Sequence, residues 1–411
     1  MYNGQFAIFP QKHGAEKSRL KQKSTPILLL ALSARILAES AVRGGWYPVS
    51  IDLFADSDVQ MLGDSIKVTA TDLGFCKTAL LAAIKQVCKD TPKPKLIYGG
   101  GVDGHPDIIE CIREYTDVIG NTPDTLGIIN SPKKFFRLLA SLDIPHPETC
   151  IKKPASTSGW LLKCPRSEGG KGIYPAENVE KIRSDGYFQR QIYGHSLSAL
   201  FLANGVEFRI IGFNTQWTRQ LGKHAFCLSG IMNVTVLTDA QKEQVADHLE
   251  KLIKSAPLKG LGSIDFILED GYCKVLEINP RPSASLALYD LDYPQGLLNA
   301  HVRAADGQPL DEVVMPKCVR AMETVYSHRV CVVPNRPGWP NWIKDRPWPE
   351  STVALDVPLC TITASGVTRS FVEKQLKNRK NKLRGWVDNW GIPGIASLPS
   401  AVSGPPEADK Y

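Results

Sequence analysis

The 411-residue chain has no CxxC pair, no Cys/His cluster at zinc spacing, no G-x-G-x-x-G after its first strand and no Walker A loop. These absences exclude a structural zinc module, a thiol redox motif, the usual dinucleotide fold and a P-loop. No run approaches the 18 or so apolar residues of a membrane span. No fixed-period repeat is visible, which excludes solenoids and propellers. The ten cysteines are scattered, so they read as reduced, mostly buried thiols of a cytoplasmic protein. One-signed charge is also lacking: 49 basic residues against 42 acidic ones leave a net charge of +7. That excess suits a small polyanion and falls short of the dense basic face of a nucleic-acid binder. What is present, 43% apolar and 22% charged residues, is enough to bury several cores.

Lys17, Arg19, Lys21 and Lys23 precede the apolar Ile27 to Leu32, an outline that resembles a signal peptide. Arg35 and Glu39 interrupt the stretch early, so the better reading is a polar tail followed by a first buried strand. Strands and helices then alternate. Strands are expected at 27–32, 46–54, near 66–69, at 95–98 and at 118–119, with helices after the first strand, over 75–88 and over 107–115. Such alternation predicts an open parallel sheet with ligand loops at the strand C-termini. SPKKFFRLLASLDIPHP (131–147) predicts a helix capped by Ser131, with Pro132 in its first turn, that ends before Pro145. The stretch 160–290 is richer in strands, with one helix from about Asp239 to Ser255. Strands resume after about 310, and a basic helix runs from Thr368 to about Leu383. Residues 391–411 are rich in Pro, Ser and Gly.

Three segments carry chemistry. In GLGSIDFILEDGYCKVLEINPRP the Asp-Gly dipeptide at 270–271 predicts a tight hairpin. Glu277 and Asn279, two apart on one strand, share a face, and antiparallel pairing brings Asp265 beside them. Two carboxylates and an amide oxygen form an oxygen-only site suited to Mg²⁺ and phosphates. Arg281, two residues on, can hold an oxyanion. In WLLKCPRSEGGKGIY, Lys163 lies inside an apolar strand and Gly169, Gly170, Lys171 and Gly172 follow. Glycine backbone N–H groups can cradle phosphate, although such a loop by itself is usually only a hairpin turn. The third segment, GYFQRQIYG over 186–194, is a strand leading into Gly194.

In this order and spacing the segments resemble the ATP-grasp superfamily, with EINPRP as the most specific match. The resemblance implies an α/β and α+β chain. It would comprise a polar tail (1–25), an open parallel-sheet domain (26–125), a two-lobed ATP-grasp domain (126–310), a small strand-rich C-terminal domain similar to that of biotin carboxylases (311–390) and a tail (391–411). It implies ATP and Mg²⁺ as cofactors, with Mn²⁺ as a substitute. Lys133 or Lys134, Lys163 and the loop Gly169–Gly172 with Lys171 would contact phosphates. Gln189 and Ile192 would border the adenine, and Arg190 would also bind the nucleotide. Asp265, Glu277 and Asn279 would hold the metal, and Arg281 and Lys163 would act in catalysis. Many members carry a glutamate where Gln189 stands and a further acid where His195-Ser196 follow.

The implied reaction is a carbon–nitrogen ligation releasing ADP and phosphate, with a carboxylic acid and an amine as substrates. The opening, ALSARILAESAVRGGWYPVSIDLFADSD, is similar to predicted carboligases related to tyramine–glutamate ligase. Some of that branch are tied to one-carbon coenzymes of the methanofuran and tetrahydromethanopterin type. The acid is expected where the loops at Ser33–Arg35, Asp52–Asp56 and Gly99–His105 face the ATP site. Two other readings compete: a carboxylase-type enzyme that activates bicarbonate, and a nucleotide-binding regulatory protein without turnover. Neither a nucleic-acid nor a membrane partner is expected, whereas a homo-oligomer is compatible with the sequence. The basic run from Lys374 to Arg384 reads as a solvated helix face, and the tryptophans of 336–349 as cover for a core edge.

Overall fold

The computed structural model describes residues 24–392, apart from 72, 73, 90, 92, 166 and 180–184. The expected N-terminal tail, up to residue 23, and the tail beyond 392 lie outside the described residues. The first apolar run forms β1 (Pro26–Leu30), with every residue after the proline buried. Burial on both faces is what a strand central to a parallel sheet requires. After β1 come α1 (Arg35–Arg43), β2 (Tyr47–Asp52), α2 (Ser57–Leu62), β3 (Asp64–Lys67) and a ribbon of β4 (Ala70–Thr71) and β5 (Gly74–Phe75). They lead into α3 (Lys77–Cys88), β6 (Lys95–Tyr98), α4 (Pro106–Arg113) and β7 (Asp117–Ile119). The sheet order is β3-β2-β1-β6-β7, all parallel, as the alternation predicted.

A short helix that the hydrophobic period does not show, α5 (Pro123–Ile129), follows; Thr122 caps it by accepting the Thr125 N–H. In α6 (Pro132–Ser141) Ser131 occupies the cap position, but its side chain does not cap the helix. Four strands, β8 (Thr149–Cys150), β9 (Trp160–Lys163), β10 (Ile173–Pro175) and β11 (Tyr187–Arg190), form one small antiparallel sheet.

The large sheet begins with β12 (His195–Asn204), β13 (Phe208–Leu221) and β14 (His224–Met232). After α7 (Asp239–Ser255) it gains the hairpin β15 (Lys259–Glu269) and β16 (Tyr272–Asn279), and α8 (Gly296–Ala305) follows. Asp270 and Gly271 both take positive φ, 51° and 83°, as a tight turn of the primed type requires. The side chains of Leu197, Ala199 and Ile264 pack with Val245 and Leu249 of α7. Leu200, Leu202 and Leu261, on the other face, pack with Leu297 of α8 and with Tyr289. By strand alternation Asp265 shares the face of Leu261, so the side opposite α7 turns from apolar to acidic along β15.

The C-terminal strands β17 (Val319–Tyr326), β18 (Cys331–Val332), β19 (Ile343–Lys344), β20 (Thr352–Val353) and β21 (Pro358–Gly366) precede α9 (Arg369–Asp388). β17, β21 and β19 extend the large sheet beyond β14, and its order is β16-β15-β12-β13-β14-β17-β21-β19. Trp339 and Trp342 pack with Trp386 and Trp390 on this extension, so they do cover a core. On α9, Arg379 stacks over Trp342 and Lys380 pairs with Glu323, which ties these two members of the basic run into the fold, while Lys382 lies over Trp386 of the same helix. All ten cysteines are free; four are buried and six partly exposed, fewer buried than the sequence suggests.

The Trp-rich segment also reaches the first sheet. Arg35, 2% exposed, donates to Asp345, and Asp58 accepts the backbone N–H groups of Asp345 and Arg346. Trp348 Nε1 donates to the Ala55 carbonyl at 2.8 Å. The loops at Ser33–Arg35 and Asp52–Asp56 are thereby closed over by the C-terminal segment, which corrects the expectation that they receive substrate. Burial, with Asp345, Asp52 and Asp58 close by, pushes the Asp56 carboxyl up to about 8. An ordinary unfolded aspartate titrates near 4, so the folded chain holds the extra proton between about pH 4 and about pH 8. The stability linked to Asp56 is therefore complete below about pH 4 and is lost as pH rises through about 8. Asp56→Asn should flatten the fall of melting temperature over that window; a fall as steep as in the wild type would show that Asp56 is not its source.

Candidate functional site

The β15–β16 hairpin places Asp265 directly opposite Glu277, and Ser263 opposite Asn279. Asn279 Nδ2 donates to Asp265 Oδ2 at 3.1 Å. A register shift follows Asp265, so the strand is re-aimed where the acids lie. Burial, then the adjacent Glu277, pushes the Asp265 carboxyl well above the usual range. Two carboxylates held this close favour keeping one proton between them. Gln216 of β13, which sequence reasoning missed, donates to Asp265 Oδ1 at 3.3 Å.

Across the cleft, alternation in the small sheet puts Leu161 and Lys163 of β9 on one face, together with Tyr187 and Gln189 of β11, which pair with them. Lys163 is 7% exposed. Burial lowers its pKa, while Glu277 and then Asp265 favour its charged form. The lysine of one sheet thus faces the acids of the other. The opposite face carries Trp160, Leu162 and Phe188 in a separate small core. Arg190 belongs to that face: its guanidinium lies 4.5 Å from the Trp160 ring centroid and donates to the Ser158 carbonyl. Strand parity thus turns Arg190 away from the face of Lys163 and Gln189, against the expectation that it binds the nucleotide. Gln189 is buried, with its amide donating to Thr149 Oγ1 at 3.1 Å. Ile192 lies partly buried in the connection to β12, and Lys133 and Lys134 are both exposed on the first turn of α6.

The glycine loop between β9 and β10 lies down on the large sheet. Gly169 O accepts the Leu228 N–H at 2.9 Å, and a His224 ring nitrogen lies 2.6 Å from the Lys171 carbonyl. Gly170 has φ 77°, and a Cβ there would lie 2.0 Å from the Phe226 carbonyl oxygen, so only glycine fits this approach. Gly172 O accepts the Cys164 N–H at 2.8 Å and closes the loop.

Arg281 follows β16 and is 8% exposed. Its Nε donates to Asp103 at 3.0 Å, and one terminal nitrogen donates to Glu168 at 2.8 Å and to Asn279 Oδ1 at 3.1 Å. Asp103 comes from the glycine-rich turn after β6 and Glu168 from the glycine loop. Neither was singled out from sequence, and no local pattern could have found them, because both are defined by partners more than 100 residues away. Burial and the Glu168 charge raise the Asp103 carboxyl, with Arg281 pulling it down. Asn121 locks this corner by accepting the Lys259 N–H at 2.8 Å and donating to the Pro280 carbonyl at 2.8 Å.

The acid pair is chemically suited to a divalent cation, which would relieve the repulsion that now favours a shared proton. Among the described residues no cluster of three or more His, Cys, Asp or Glu could hold a metal. Asp265 and Glu277 supply two oxygens, so phosphate or water oxygens would have to complete the coordination. Asn279 now turns its oxygen toward Arg281 and its nitrogen toward Asp265, so it can join only by turning its amide over.

Residues 131–285 match the family model of the ATP-grasp domain. Among curated proteins, an arginine-specific carbamoyl phosphate synthase large chain of Halalkalibacterium halodurans is 22% identical over 51% of this chain. That alignment covers 22% of the relative, so this chain spans about a fifth of its length. An uncharacterized protein of Methanocaldococcus jannaschii is 24% identical over 66% of this chain and 72% of its own. Among solved structures, the biotin carboxylase domain of Hydrogenobacter thermophilus 2-oxoglutarate carboxylase, in complex with MgADP, ADP and bicarbonate, superposes with a TM-score of 0.66. It is 12% identical and covers 85% of this chain and 88% of its own. Phosphoribosylamine–glycine ligase of Thermotoga maritima gives 0.65, at 13% identity over 87% of this chain and 97% of its own. No helix among the described residues is long and apolar enough to cross a membrane. The small sheet, the glycine loop and the acid-bearing hairpin all lie within residues 131–285, the stretch of this chain that is an ATP-grasp domain.

Proposed function

We propose that the protein is an ATP- and Mg²⁺-dependent ligase that joins a carboxylic acid to an amine and releases ADP and phosphate. The observation that carries this reading is Lys163 facing Asp265 and Glu277 across the cleft, with Asn279 linking the acids to Arg281. In the reaction, a carboxylate oxygen of the acid attacks the γ-phosphorus of ATP. The bond from that phosphorus to the ADP oxygen breaks, and an acyl phosphate forms. The amine nitrogen then attacks the acyl carbon, the bond to the phosphate oxygen breaks, and the nitrogen loses a proton.

Mg²⁺ held by Asp265, Glu277 and Asn279 would offset negative charge on the phosphates. Lys163 would add a fixed positive charge from the opposite wall, and the Gly169–Gly172 loop with Lys171 would cover the phosphates. Arg281 would hold the acid and support the oxyanion formed at its acyl carbon. Gln189 and Ile192 would border the adenine, and Lys133 or Lys134 would reach the phosphates from α6. Of the three loops expected to meet the acid, only the turn at Gly99–His105 borders Arg281.

Bicarbonate as the activated acid is the second reading, favoured by the MgADP and bicarbonate named for the Hydrogenobacter neighbour. That neighbour is also a dimer, which supports a homo-oligomer here. The finer assignments, a role in one-carbon coenzyme synthesis, Mn²⁺ as a substitute and a cytoplasmic location, rest on the sequence resemblance and the reduced thiols.

A screen for ADP release with carboxylic acids and amines, glutamate and tyramine-like amines included, tests the ligase reading. Release that needs both partners is expected; release with bicarbonate alone favours the second reading. In Glu277→Gln or Asn279→Ala the Mg²⁺-dependent rate should fall by about 10²-fold or more with an unchanged melting temperature. Wild-type rates in either variant would contradict the metal assignment. The shared proton gives a further expectation, because a cation needs both carboxylates ionised. Mg²⁺ binding followed by calorimetry should release protons and tighten as pH rises through neutrality; pH-independent binding would contradict it.

A further inference from the structure

Glu168 is the unexpected member of the Arg281 cluster. It sits in the loop that the proposed function lays over the phosphates, yet its carboxylate does not point at them. Oε2 accepts from Arg281 at 2.8 Å, and Oε1 accepts the Gly101 backbone N–H at 2.7 Å. A buried guanidinium and a backbone N–H at the C-terminal end of β6 together make a seat for one carboxylate. Gly100 lines the same seat: a Cβ there would lie 3.2 Å from Glu168 and 3.4 Å from the Arg281 guanidinium carbon. The terminal nitrogen of Arg281 that meets Glu168 also meets Asn279, while Nε is held by Asp103, so the contact to an incoming oxygen is made through that nitrogen.

We propose that Glu168 is an internal stand-in for the substrate's carboxylate, filling the seat formed by Arg281 and the Gly101 N–H until the acid displaces it. This rests on the ligase reading for the identity of the displacing group. Two anions cannot share one guanidinium nitrogen and one N–H. Arrival of the acid therefore removes an anchor of the glycine loop, whose other anchors are the Leu228 N–H and the His224 ring. Acid binding and loop position are coupled through this exchange: an empty site keeps the loop down and the seat closed, and a filled one frees the loop to rearrange over ATP. The seat takes a single carboxylate with small groups beside it, since Gly100 and Gly101 line it.

Glu168 is about one-third exposed on a loop, and Asp103 and Asn279 still meet Arg281 without it, so its substitution should leave the fold intact. The test is hydrogen exchange of the Gly101 amide and of segment 164–174 in the full chain, comparing wild type, Glu168→Gln and Glu168→Ala, with acetate as the probe. The Gly101 amide and the loop should exchange at least about tenfold faster in Glu168→Ala. Acetate, but not chloride at equal ionic strength, should restore protection at Gly101 while the loop stays fast. Unchanged exchange in both variants, or no rescue by acetate, would overturn the proposal whether or not any acid supports ADP release. Where the screen yields an active acid, its KM should drop at least about tenfold in Glu168→Gln, as expected when a competing occupant is removed. A raised KM for ATP with an unchanged KM for the acid would identify Glu168 as a latch over nucleotide and sink the stand-in role.

Discussion

A guanidinium withdrawn from water must be met by acceptors, and the placement of Arg281 follows from that requirement. Its partners come from three parts of the chain: Asp103 from the parallel sheet, Asn279 from the hairpin and Glu168 from the glycine loop. No single unit can satisfy it, so burying Arg281 fixes how the first sheet, the hairpin and the loop meet. Asn121 reinforces the same corner by gripping the backbone at Lys259 and Pro280, on either side of the hairpin. A separate contact, Arg35 with Asp345, ties the first sheet to the C-terminal segment.

The electrostatics of the cleft are unbalanced in a way that suits a nucleotide. Asp265 is driven toward its neutral form, Lys163 has its charge disfavoured by burial, and Lys163 faces Asp265 and the Glu277 beside it. A cation and a triphosphate would supply the counter-charges that both walls lack. The anion that meets Arg281 from the glycine loop is the chain's own Glu168.

Much of this was legible in the sequence where the signal is local. The Asp-Gly turn and period-two alternation located the hairpin, and they put Asp265, Glu277 and Asn279 on one face because pairing across a two-residue turn leaves little freedom. Lys163 stood out as a lone cation in an apolar strand, although its facing partners lie on another sheet. What was not legible is set by contacts distant in sequence. Glu168 looks like an ordinary loop acid until Arg281 arrives beside it. The loops at Ser33–Arg35 and Asp52–Asp56 look like ligand loops until Asp345 and Trp348 cover them. Arg190 was misplaced for a simpler reason, since strand parity turns it onto the face of Trp160.

A ligase of the proposed kind passes the γ-phosphoryl group of ATP to a carboxylate oxygen before any amide forms. The most direct measurement is the fate of oxygen-18 carried in the carboxylate of an acid that supports turnover, read in the phosphate product by mass spectrometry. An acyl phosphate carries one labelled oxygen into each phosphate released. Unlabelled phosphate alongside amide formation would contradict the account.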